Sequence, residues 1–206
     1  MKTFILSIVL ASVFLTVKAM DGAVIHTYHV GHSNNPAIPD SVKLKVDSNT
    51  AYYQKTVKVD SNIKVSMIYL RTLQFMSAKN FTQNYGYEEE GKMIFTTTQD
   101  LNANATFGGD NDDPNPYTVQ FAITIDMKNG RYRYTISNVI FYLPTVNGNR
   151  RMTLYELFEK EIGGESRRIQ RNAKTIVDSF ERYLVSLTGE LYTEIEHKAV
   201  IYQGKF

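Results

Sequence analysis

The chain has 206 residues, of which 43% are hydrophobic and 12% aromatic, and it contains no cysteine. That length suffices for one domain with its own core, and the missing thiols exclude disulfides, thiolate nucleophiles and thiolate metal sites. Lysine and arginine total 23 against 21 acidic residues; Lys2 and Lys18 lie in an N-terminal leader, and without it 21 bases face 21 acids, so the remainder offers a nucleic acid no overall positive field.

The leader is MKTFILSIVLASVFLTVKA. Lys2 forms a short basic region, Phe4 to Val17 an apolar run, and Val17-Lys18-Ala19 a small-x-small cleavage site. Residues 1–19 therefore read as a secretory signal peptide, with the mature chain starting near Met20. The run is too short to cross ~30 Å of hydrocarbon, which takes about 20 residues. The expectation is an exported protein, periplasmic or secreted, with no stable membrane insertion once the leader is gone. The absence of cysteine fits a bacterial exported protein. Asn80-Phe81-Thr82 and Asn104-Ala105-Thr106 match the glycosylation sequon, which matters only in a eukaryotic secretory pathway.

Residues 20–50 read as an N-terminal extension with edge strands. Ala23 to Val30 is a weak strand candidate, Ser33 to Pro39 a loop, and Val42, Leu44 and Val46 alternate with Lys43 and Lys45 as a short strand. After a turn at Asp47 to Thr50, a strand over 51–59 places Tyr53, Val57 and Val59 on one face. Asp60 or Ser61 is the expected N-cap of a helix with Ile63, Met67, Leu70 and Phe75 on its apolar side, widened by Ile68 and Met76 and ending near Lys79 to Phe81. Tyr85 to Glu89 and Met93 to Thr98 form a hairpin turning near Glu90-Gly91. A polar loop follows over 102–116.

Tyr117 to Leu143 is the strongest signal in the chain. Tyr117, Val119, Phe121, Ile123, Ile125 and Met127 alternate with polar or small residues, the period-two pattern of a strand buried on one face. Asn129-Gly130 predicts a two-residue type I′ turn with φ > 0 at both positions. That loop sets Met127 against Tyr132, Ile125 against Tyr134, Ile123 against Ile136, and Asp126 against Arg133. A three-residue loop would pair Ile125 with Arg133 and send every side chain to the wrong face. Further on, Ile169, Ala173, Ile176, Val177, Phe180, Tyr183, Leu184 and Leu187 step by three and four along a helix from about Glu165 to Leu187, with Gly189 as its C′ residue. The tail 190–206 includes an edge-strand candidate over His197 to Tyr202.

Strand, helix, four strands and helix in that order make an α+β domain over 51–189: an antiparallel sheet with two helices on one face and an extra N-terminal strand. The other face is left wet. This order, with Ile123-Thr-Ile-Asp-Met-Lys-Asn-Gly-Arg-Tyr-Arg-Tyr-Thr-Ile136, resembles a family of exported bacterial proteins catalogued as a domain of unknown function with a TATA-box-binding-protein-like (TBP-like) fold. The family pattern is an alternating strand, a lysine with Asp or Asn before Gly, then Arg-Tyr-Arg-Tyr. The segment Arg71 to Phe81 is also similar, and the resemblance runs from Ala51 to Leu187. The chain departs from it at Phe75, where the family often carries Trp, and in the additions before Ala51 and after Gly189. The family brings no catalytic residues, and its fold name does not import DNA binding.

No segment carries a catalytic, cofactor or metal signature. His26, His29 and His32 alternate faces on a strand, so a metal cluster is not expected of them, and His197 is remote in sequence. Ser61-Asn62-Ile63-Lys64 matches Ser-x-x-Lys without the partner motifs that chemistry requires. Asp110, Asp112 and Asp113 lack calcium-loop spacing, Glu88 to Glu90 diverge at a turn, and Arg167, Arg168 and Arg171 read as a solvated helix face. The expected function is a non-enzymatic binding module whose partner is a protein or small ligand of the cell envelope; the alternative is an enzyme whose site is assembled from scattered residues.

Overall fold

The computed structural model describes residues 19–20, 23–24, 26–27, 44–47, 49–103, 115–145, 148–163 and 166–197. Two short strands, β1 (Ala19–Met20) and β2 (Ala23–Val24), pair with each other. All other strands form one antiparallel sheet: β3 (His26–Thr27), β4 (Leu44–Asp47), β5 (Thr50–Lys58), β6 (Thr82–Tyr87), β7 (Lys92–Ala103), β8 (Asn115–Lys128), β9 (Arg131–Thr145) and β10 (Gly148–Thr153). The spatial order is β3-β4-β5-β9-β8-β7-β6, with β10 also on β9. Helices α1 (Val65–Ala78), α2 (Leu154–Gly163) and α3 (Arg167–His197) complete the described elements.

The long hairpin has the expected register. Met127 pairs with Tyr132, Ile125 with Tyr134, Ile123 with Ile136, and Asp126 with Arg133. The register then shifts by one, because β9 carries a bulge at Asn138, whose φ is +53°. The bulge moves the buried set from Tyr132, Tyr134 and Ile136 to Val139, Phe141 and Leu143, all inside on the same face. β9 also changes partner there. Its first half pairs with β5 through Tyr53↔Ile136, its second half with β10 through Met152↔Phe141.

The turn is not type I′. Gly130 has φ +68°, whereas Asn129 is not among the positive-φ residues. The turn is gripped from outside by the link between β5 and α1. Gly130 N–H donates to the Ile63 carbonyl at 3.1 Å, Val59 N–H to the Gly130 carbonyl at 3.0 Å, and Val65 N–H to Asn129 Oδ1 at 3.2 Å. These contacts override the local preference for both residues to be left-handed. They also account for the missing cap at Asp60 or Ser61. Asp60 Oδ1 accepts from Asn62 N–H at 2.8 Å and closes a local turn; the N-cap position is Lys64, which has no side-chain bond, and Asn129 caps the helix from the hairpin.

The buried side of α1 is Ile68, Arg71, Thr72, Phe75 and Met76, while Leu70 is exposed, a rotation from the face expected on Ile63, Met67 and Leu70. Asn80 ends the helix with φ +60°; its N–H donates to Ser77 and that of Phe81 to Met76, a Schellman closure with Asn at C′.

Two elements were absent from the sequence expectation, β10 and α2. Helix α2 starts at a capping box. Glu156 N–H donates to Thr153 Oγ1 at 3.2 Å, and Thr153 N–H donates back to Glu156 Oε2 at 2.6 Å. Three helices thus cover the sheet where two were expected. Helix α3 corrects another boundary: it passes through Gly189 without stopping and buries Leu191 and Ile195. A Cβ at Gly189 would meet nothing within 4 Å, so the glycine neither ends the helix nor relieves a clash.

Helices and sheet meet on one face. Phe180 of α3 is fully buried, with ring centroids 5.5 Å from Phe121, 5.4 Å from Phe141 and 6.1 Å from Tyr53, all edge-on. Arg71 ties α1 to the end of α3 by donating from Nη1 to the Ile195 carbonyl, a cation at the negative end of a helix. No described helix is long and apolar enough to cross a membrane.

Candidate functional site: the uncovered sheet face

The side chains pointing away from the helices form a polar surface bound together across strands. Lys45 Nζ donates to Gln54 Oε1 at 2.8 Å, and Gln54 Nε2 donates to Thr135 Oγ1 at 3.1 Å. Tyr142 Oη donates to Gln120 Oε1 at 3.2 Å, and Thr118 Oγ1 to Asp100 Oδ1 at 2.7 Å. Arg133 Nη2 lies 2.8 Å from Asp126 Oδ2, the acid–base pair that the hairpin register demands. Each residue is aimed outward by strand alternation, so the pattern that builds the core also builds this face.

The turn end of the face is cationic. Lys58 is directly opposite Arg131, and Arg131 directly opposite Lys128, so three bases share one row. The row borders a shallow depression of about 230 Å³ lined by Thr56, Asp126, Lys128, Arg131, Tyr132 and Arg133. A second groove of similar size opens on the helix side, where Val57, Tyr134 and Val185 flank Gly189.

A half-buried acid sits elsewhere. Tyr53 Oη of β5 donates to Glu181 Oε1 of α3 at 3.1 Å. Burial pushes the Glu181 carboxyl up to about 7; Asp178 and Glu161 push the same way, while the Tyr53 hydrogen bond and Lys174 oppose them. Lys174 Nζ lies 3.0 Å from Asp178 and 3.9 Å from Glu161. Glu181 lines neither groove.

Among the described residues, those weighed as sites in the sequence are not brought together. His26 lies in β3; His29, His32, Asp110, Asp112, Asp113 and the Asn104 sequon fall outside the described residues, and of the strand candidate over His197 to Tyr202 only His197 is described, as the last residue of α3 rather than a strand. Ser61 is in the turn before α1 rather than at a helix N-terminus, so the Ser61–Lys64 match loses its geometry. Glu88 to Glu90 occupy the β6–β7 turn, where Glu90 accepts from Tyr85. Arg167, Arg168 and Arg171 are exposed on α3. No group of three metal-ligating side chains is found among the described residues. Sequence reasoning missed Glu181, whose partner Tyr53 lies in β5, and the cationic row, which depends on β5 lying beside β9.

The model of a family described as a domain of unknown function (DUF4468) with TBP-like fold matches residues 53–142. Those residues are similar to a DUF4468 domain. They span β5 to β9, including the hairpin and the whole cationic row. The fold is shared more widely than the sequence. A TBP-like protein from Parabacteroides distasonis ATCC 8503 superposes with a TM-score of 0.60 at 10% identity, covering 75% of this chain and 97% of that one. A DUF4468 family protein from Bacteroides ovatus ATCC 8483 gives 0.54 at 12% identity, covering 76% and 91%. No curated protein matches the chain. At these identities the two structures establish the fold alone. In the matched segment α1 and the strands form the helix-backed sheet, and α3, beyond that segment, seals it.

Proposed function

We propose that the protein is an exported, non-catalytic binding module that engages an envelope partner through the uncovered sheet face. The observation that carries this reading is the division of labour between faces. One side holds the aromatic core around Phe180, while the other presents four long strands of threonine, glutamine, tyrosine and paired charges. A broad, pre-organised polar surface on rigid strands suits recognition of a partner with little ordering cost. Export rests on the leader sequence, Lys2 through Ala19.

The chain has no cysteine, so one introduced thiol reports one position. Thr124→Cys on the open face and Arg171→Cys on the solvated side of α3 are to be produced in the native cell and treated with a thiol-reactive crosslinker. The expected outcome is a specific adduct from Thr124→Cys alone. Equal adducts from both positions, or none from Thr124→Cys, would remove the open face as the binding surface. Mass spectrometry of the exported chain is expected to find Met20 or a close neighbour at its N-terminus.

A second reading, an enzyme, is favoured by one observation: Glu181 holds a proton near neutral pH beside Tyr53, as a general acid does. It requires turnover that Glu181→Gln abolishes without unfolding the chain.

A further inference from the structure

We propose that the row Lys58, Arg131 and Lys128, with Arg133 behind it, is a binding site for a compact multivalent anion of the phosphate-monoester class. The inference deepens the open-face reading and rests on it.

The argument starts from register. Residues directly opposite in an antiparallel pair lie about 4.5–5.5 Å apart, and like charges placed so are destabilising. Arg131 meets this twice, with Lys58 on one side and Lys128 on the other. All three are exposed, and none forms an ion pair with an acidic side chain among the described residues. The nearest acid in the lining, Asp126, is engaged by Arg133 at 2.8 Å. A local rule broken without internal compensation marks a functional position more often than an accident.

The shape fits a small ligand. The charges border a depression of about 230 Å³ lined by Thr56, Asp126, Lys128, Arg131, Tyr132 and Arg133. A flat patch would suit a surface; a depression lined by Lys128, Arg131 and Arg133, with Lys58 beside Arg131, suits a discrete group. Guanidinium forks bind phosphate oxygens with two parallel hydrogen bonds, and the flanking ammonium groups supply point charges. Three cations facing one dianion also explain why a balanced chain concentrates positive charge here. The hairpin tip is held rigidly, because Gly130 is bonded to Ile63 and Val59, so the row is presented in fixed register.

The test is calorimetric titration of the full mature chain with glucose 6-phosphate, glucose, and phosphatidylglycerol vesicles at low ionic strength. The expected result is 1:1 binding of glucose 6-phosphate, none of glucose, and weakening of tenfold or more in Arg131→Gln and in a Lys58→Gln, Lys128→Gln pair. These variants are expected to melt no lower than the parent, since each relieves like-charge repulsion; a folded variant that still binds equally overturns the proposal. Binding of vesicles without the soluble phosphate would assign the patch to a membrane surface and overturn it too. If phosphate fails to bind while Thr124→Cys still crosslinks, only the ligand class falls, and the open-face reading stands.

Discussion

Gly130 is constrained twice, by its backbone and by its neighbour. Its φ of +68° disfavours any residue with a Cβ, and a Cβ built there lies 3.0 Å from Ser61 Cα. Gly130→Val is therefore expected to cost about 1–2 kcal/mol from the left-handed conformation, with any shift of the 59–65 link adding to it. Urea melts measure this. A loss no larger than that of a surface substitution would mean that the turn is not clamped.

Glu181 gives a pH prediction at the same scale. Its folded pKa of about 7 lies above the ordinary value of 4.5. The folded state therefore holds the proton through a window in which the unfolded state has lost it. The stability that accompanies the protonated form is fully present below pH 4.5 and is lost as pH rises through 7. Glu181→Gln keeps an acceptor for Tyr53 and cannot ionise. The variant is expected to match the parent near pH 4 and to exceed it by about 3 kcal/mol at pH 8, the size of a shift of this extent. Tyr53 and the charged groups facing Glu181, namely Asp178, Glu161 and Lys174, remain in both proteins, so the difference isolates one carboxyl. A difference that does not vary with pH would contradict the burial argument.

At the scale of elements, α2 shows what local chemistry makes legible and what it hides. Thr153-Leu-Tyr-Glu156 is a capping-box sequence, and Thr153 does bond reciprocally with Glu156. The signal lies in the sequence, but the apolar stripe behind it is short and does not by itself mark a helix. Thr153→Ala is expected to cost about 0.5–2 kcal/mol, measured by thermal or urea unfolding. The bulge at Asn138 was similarly readable in the three-residue step from Ile136 to Val139. Gly189 misled in the opposite direction. A glycine after an apolar stripe resembles a stop, but packing of Leu191 and Ile195 continues the helix. The N-terminus of α1 was not legible at all, because its cap, Asn129, is 64 residues away.

For the whole molecule, period-two alternation was enough to give the hairpin register, and period 3.6 enough to place α3 on the sheet. Neither pattern states which strand lies beside β9. The pairing of β5 with β9 is a tertiary fact, and with it comes the cationic row. The fold was thus largely readable from the chain, while the candidate site emerged only from neighbours distant in sequence.

The central claim is that the two faces of one sheet do different work: the helix side supplies stability, and the open side is left for binding. Phe180 packs on Phe121, Phe141 and Tyr53, whereas Thr135 meets Gln54 across a half-exposed surface. Equilibrium urea unfolding of Phe180→Ala and Thr135→Ala against the parent tests this directly. The account predicts a loss of about 3–5 kcal/mol for the buried ring, a large part of a total of about 5–15, and a loss below about 1 kcal/mol for the cross-strand threonine. Comparable losses from both substitutions would contradict it, because the open face would then be part of the core.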